Sequence, residues 1–254
     1  MRVARCHEGP DVGTVVHHRR KEVGTVVQDD NLRYAWGGCY DASRASALSG
    51  VPKTTVYWWA RHGIVVPSVS PIQEKLWSYS DLMCLRIVSW LRRPKVSHDG
   101  ESLPSSPMPR VRAALNVLSH HGVDLWSPRD EHKHPLLVDL RGQIWVRLGD
   151  EIQGPNGETT FPTLKTFGLT APYEYAGQSA PDLIRPRPNF RIVPGKLAGE
   201  PHVQGTRLTS TALATLAAEG FPVERIADMY EIDPSIVAEA VDLETQLRTF
   251  TAAA

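Results

Sequence analysis

Asp41 and Gly63 bracket two short helix-compatible stretches separated by Gly50-Val51-Pro52, and this spacing constrains the fold more than any other feature of the chain. Asp41 can cap a helix over residues 42–48, which Gly50 then breaks. Pro52 suits the start of a second helix over residues 53–62, closed by Gly63. Ala45, Leu48, Val51, Val56 and Trp59 recur where two short helices crossing steeply would bury a shared core, the arrangement of a helix-turn-helix. Val56 and Trp59, three residues apart, point inward. The same rotation leaves Lys53, Thr54, Tyr57, Trp58 and Arg61 on the outer face.

Residues 64–79 carry Pro67, Pro71 and a Glu74-Lys75 pair, and predict a β-turn-β wing. Ser80 is then expected to cap a third helix over 81–93. Leu82, Leu85, Val88 and Trp90 are available for its packing, Arg92-Arg93 stand at its end, and Pro94 stops it. An outer face of this kind has the chemistry for a DNA groove. Hydroxyls and lysines meet phosphates, the positive helix end favours them, and long side chains reach base edges. The candidate DNA-contacting residues are Lys53, Thr54, Thr55, Tyr57, Trp58, Arg61 and Lys75. The formal charge of the chain is zero, but the average conceals two halves. Residues 40–96 hold eight lysines and arginines against three acids, a net of +5, while residues 189–249 hold five against nine, a net of −4. A basic front and an acidic back suit different partners.

Two proline-rich stretches, residues 96–109 and 176–188, are expected to run as surface linkers. They divide the chain into a leader (1–39), the front unit (40–95), a middle segment (110–175) and a C-terminal module (189–250). The leader repeats Gly-Thr-Val-Val at 13–16 and 24–27, which allows a marginal hairpin or no fixed structure. In the middle segment a helix over 109–121 precedes strands at 136–140 and 144–148, which flank Arg141-Gly142-Gln143; residues 159–169 can add another strand. The C-terminal module starts with a strand over 190–193. Three helices follow: one capped by Thr209 or Ser210, one opened by Pro222, and one opened by Asp233-Pro234. The last two form a second helix-turn-helix-like pair. The expected fold class is α+β, mainly α.

Catalytic chemistry finds little support. His120, His121, His132 and His134 lie near Asp124 and Asp130 but lack the i,i+4 spacing of a helical metal site, so a solvated loop is expected and no metal or cofactor. The glycines from 195 to 205 lack a lysine-serine ending, and no nucleophile motif occurs. The three cysteines are widely spaced with no CxxC pair. No apolar run approaches the length of a membrane span, and the N-terminus has no signal-peptide pattern. A cytoplasmic, non-enzymatic protein is expected.

The run from Ser46 to Val65 resembles the winged helix-turn-helix of MerR-type regulators, and Tyr79-Ser80-Asp81-Leu82 resembles the start of the helix that follows their wing. The chain departs from that pattern where a long dimerising helix would follow, so dimerisation is expected elsewhere. Gly199, Pro201, Gly205, Thr206, Arg207, Gly220 and the helix over 226–230 resemble a compact family known mainly as a domain of unknown function. The combination is similar to larger VapB-type antitoxins, which are encoded beside PIN-like ribonuclease toxins. That resemblance implies a homodimeric regulator that binds double-stranded DNA at its own promoter and neutralises a PIN-like toxin. It singles out Gly205, Thr206 and Arg207 as toxin-contacting candidates, with the guanidinium entering an acidic metal site. The alternative is a turn whose arginine braces the local fold. A stand-alone regulator without a toxin and a protein-contacting adaptor are the competing roles.

Overall fold

The computed structural model describes residues 37–96, 100–121, 135–158, 164–166, 173–175 and 178–252. The leader hairpin and the expectations on His132 and His134 fall outside them. Seven helices and four small antiparallel sheets make up the described residues, so the chain is α+β and mainly helical.

The front unit starts with α1 (Ala42–Ser49), whose first turn is capped by the Asp41 carboxylate accepting from Arg44 N–H at 2.7 Å. Gly50 ends it in the left-handed conformation, φ 74°. Helix α2 (Lys53–Arg61) follows after Pro52. Ala45, Leu48, Val51, Val56 and Trp59 are all buried, as the pattern predicts. Helix α3 is Tyr79–Leu91 and begins a half-turn earlier than expected. Its cap is Ser78, because Asp81 three residues on returns the bond in a capping box that Ser80 cannot complete. The expected wing is reduced to isolated bridges, Tyr40 with Trp77 and Ser70 with Leu76. Pro67 and Pro71 have no N–H to give, and no ladder extends through them.

Most described residues of the first expected linker are exposed, but both stretches contain short strands and are held to their neighbours. Strands β1 (Lys95–Val96) and β2 (Ser102–Leu103) pair as a short hairpin, and Leu103 and Ser106 are buried. Ser106 N–H donates to the Leu91 carbonyl at 2.7 Å and its hydroxyl to the Gly142 carbonyl at 2.8 Å, pinning the stretch to both neighbours. Proline density prevents a long ladder, but the residues between prolines still supply donors and apolar side chains. Helix α4 (Met108–His120) then packs on a sheet of β3 (Leu136–Asp139), β4 (Ile144–Leu148), β5 (Glu151–Gln153) and β6 (Leu164–Thr166), in the order β5-β4-β3-β6. Strands β7 (Tyr173–Tyr175) and β8 (Gln178–Ala180) form a further hairpin, with Pro181 and Leu183 buried just beyond.

The C-terminal module pairs β9 (Phe190–Arg191) with β10 (His202–Val203), and continues through α5 (Ser210–Ala218), α6 (Val223–Tyr230) and α7 (Pro234–Ala252). Phe190, Val203, Leu213, Ile226, Ala227, Val237 and Ala240 form its own core. Further along α7, Leu243 and Leu247 belong instead to the core shared by Leu48, Trp77, Val111 and Val138. One helix therefore serves both cores, and front, middle and C-terminal segments are packed together. Burying such a leucine contributes about 1.5–3 kcal/mol, so this packing resists separation of the units.

Candidate nucleic-acid interface

Helix α2 turns Val56 and Trp59 into the core, which leaves Thr54, Tyr57, Trp58 and Arg61 exposed and Lys53 and Thr55 half-buried. Tyr57 and Trp58, expected on the outer face, keep 38% and 42% of their surface, so neither is packed away. Tyr57 meets Trp77 edge-on at 6.0 Å, while Trp58 stacks on His62 at 4.1 Å. The imidazole Nδ1 of His62 lies 2.8 Å from the Trp58 carbonyl, which holds the stack in place. Arg61 has no hydrogen-bond or ion-pair partner among the described residues.

A cleft flanks α2 on either side. One, about 380 Å³, is lined by Asp41, Ser43, Lys53, Tyr57, Glu74 and Lys75. There Lys53 Nζ donates to Ser43 Oγ at 2.7 Å and Lys75 Nζ to the Pro71 carbonyl at 2.8 Å. The other, about 250 Å³, is lined by Trp58, Trp59, Ser89, Arg92, Arg93 and Met108. Arg92 is exposed and donates from Nη1 to the Ser106 carbonyl at 3.0 Å. Lys95 turns away, its Nζ reaching the Trp90 and Leu91 carbonyls and lying 4.1 Å from the Trp90 ring centre. Burial lowers its pKa to about 8.

Two further cations of the basic front are committed inward. Arg86 is fully buried and donates to the carbonyls of Leu48, Ser49 and Pro181. Arg44 bridges two carboxylates of the C-terminal module, Glu200 at 2.6 Å and Glu244 at 2.8 Å. Burial works against charge at Glu244, but hydrogen bonds from Arg44 and Ser210 outweigh it and hold its carboxyl below the usual glutamate range. The net +5 of the front thus overstates what faces solvent.

In the module, Thr206 braces the turn: its hydroxyl donates to the Val203 carbonyl at 3.1 Å and accepts from Leu208 N–H at 3.0 Å. Gly205 sits at φ 81°. Arg207 is exposed, and among the described residues it has no hydrogen-bond or ion-pair partner, so bracing falls to Thr206.

Comparison with known proteins bears on this module. Residues 191–242 match the family described as Protein of unknown function (DUF433). The DUF433 match covers about a fifth of the chain and contains Gly199, Pro201, Gly205, Thr206, Arg207 and Gly220. The crystal structure of Rv2018 from Mycobacterium tuberculosis is similar at a TM-score of 0.46 and 17% identity, over 80% of this chain and 96% of that one. No curated protein matches. No group of three or more metal-ligating side chains occurs among the described residues, and no described helix is long and apolar enough to cross a membrane.

Two features escape a reading by residue type. The first is the cleft beside Trp58, because Arg92 and Arg93 lie some thirty positions along the chain from it. The second is the inward commitment of Arg44 and Arg86, whose partners are distant in sequence.

Proposed function

We propose that the chain is a regulator that binds duplex DNA by laying α2, as the second helix of a helix-turn-helix, into the major groove. The observation that supports this is the outer face of α2: a threonine, two exposed aromatics and an exposed arginine with no partner among the described residues, on a helix fixed from behind by Val56 and Trp59. Thr54 and Lys53 stand at the helix N-terminus, where phosphate is favoured. A homodimer would set two such helices on half-sites about 34 Å apart.

Arg61→Ala is expected to weaken binding to a duplex from the chain's own upstream region by about 1–3 kcal/mol, measured by fluorescence anisotropy. Wild-type binding should fall steeply with added salt. A wild-type protein that ignores duplex DNA, or binds it without regard to salt, would remove this reading.

A second role is favoured by Arg207, presented without a partner among the described residues on a turn that Thr206 already stabilises. In this reading the module neutralises a PIN-like ribonuclease toxin, and Arg207 enters its acidic site. Arg207→Glu should then abolish growth rescue when the chain is co-expressed with a PIN-like ribonuclease encoded beside it, with the thermal unfolding of the chain unchanged. Full rescue by that variant would rule out the role of Arg207.

A further inference from the structure

An α-helix with side chains is about 10–12 Å across, and the major groove is about 12 Å wide. A helix seated there has one phosphate strand along each flank, which is where the two clefts beside α2 lie. Their electrostatics differ. On the wing side, Lys53 and Lys75 share their cleft with the carboxylates of Asp41 and Glu74. On the other side, Arg92 and Arg93 share theirs with Trp58, Trp59, Ser89 and Met108, and no carboxylate lines it.

We propose that Arg92 and Arg93, beyond the C-terminus of α3, form the principal phosphate-holding site of the interface, ahead of Lys53 and Lys75. This rests on the reading of α2 as the groove helix. A phosphate oxygen arriving on the wing side meets two carboxylates that cancel most of the attraction. One arriving beside Trp58 enters a cleft whose lining holds two guanidinium groups and no carboxylate, and each planar fork can donate to two phosphate oxygens at once. The contact of Arg92 with the Ser106 carbonyl orients its side chain before DNA arrives, so less rotamer freedom is lost on binding. Trp58, half-exposed at the mouth of the cleft, offers an apolar wall to the sugar. Phosphate contacts carry no base information, so the effect is independent of sequence.

The test uses the full chain and two duplexes of equal length, one from its own upstream region and one of random sequence, titrated between about 50 and 200 mM NaCl. Each phosphate contact contributes about 0.9 to the slope of log affinity against log salt. The double variant R92A/R93A is expected to lower that slope by about 1.8 on both duplexes. K53A/K75A should lower it by less than half as much. R92K/R93K, which keeps the charges, should retain most of the wild-type slope and separates charge loss from misfolding. If R92A/R93A keeps the wild-type slope while K53A/K75A loses it, the assignment is wrong although α2 still reads DNA. If the wild-type chain binds neither duplex, both readings fall together.

Discussion

Arg86→Met is expected to lower the unfolding free energy by about 3–5 kcal/mol, a large fraction of what holds a typical domain together. Helix α1 ends with no basic residue in its last turn, and its final carbonyls have no partner within the helix. Arg86 reaches them from α3: Nη2 donates to Leu48 O at 2.5 Å and Nε to Ser49 O at 3.3 Å. The guanidinium charge also sits at the negative end of the α1 dipole. The same Nη2 donates to Pro181 O at 2.9 Å, in the stretch leading from β8 into the C-terminal module. Methionine fills much of the volume but leaves three buried carbonyls unsatisfied, at about 1–3 kcal/mol each before relaxation. Relief from burying a charge offsets part of that loss, which is why the total falls below the sum. Arg86→Lys should lie between the two, because a single ammonium cannot reproduce the planar fork. Urea unfolding followed by circular dichroism measures the effect. A methionine variant within about 1 kcal/mol of wild type would show that water or other donors serve these carbonyls equally well.

Local signals in this chain are dependable, and long-range ones are nearly silent. Asp41, Gly50, Thr209, Gly220 and Pro234 mark helix ends because a cap acts within three or four residues of itself. The β3–β4 pairing is visible for the same reason, since the turn at Arg141-Gly142-Gln143 lies between its strands. The start of α3 is displaced because Ser78 and Ser80 are both plausible caps, and only Asp81 at the right offset from Ser78 decides between them. Nothing local reveals that Ser106 lies against Gly142, or that Leu183 is fully buried. The candidate interface divides along the same line. Helical rotation alone places Tyr57, Trp58 and Arg61 outward, and the structure agrees. The charge count is less trustworthy: Arg44 is matched by Glu200 and Glu244, 156 and 200 positions away, so a cation of the front belongs electrically to the rear.

Gly199→Ala should destabilise the protein by about 2–5 kcal/mol, well beyond the effect of the same change at Gly205. Both glycines have left-handed backbones, φ 83° and φ 81°. Alanine at either position therefore carries strain of about 1–2 kcal/mol. At Gly205 that is all, because a Cβ there meets nothing within 4 Å. At Gly199 the added Cβ overlaps the Tyr40 hydroxyl and comes within 2.7 Å of Tyr40 Cζ and 3.3 Å of Gly38 Cα. Tyr40 cannot easily give way. Its backbone exchanges two hydrogen bonds with Trp77, each 2.9 Å, its ring is buried, and its hydroxyl donates to Gly199 O at 2.9 Å. Forcing a methyl into such packing typically adds about 1–3 kcal/mol. The clash lies between the module and the front unit, beside the Arg44–Glu200 ion pair, so the variant should loosen their junction before either core. Tyr40→Phe removes the nearest atom of the clash. Alone it loses a buried hydrogen bond, about 1 kcal/mol, but in the Gly199→Ala background it should recover part of the loss. The recovery stays partial because the ring carbon remains. Strict additivity of the two changes in thermal unfolding would mean that the glycine is required for its backbone angle alone, as at Gly205, and not for its contact with Tyr40.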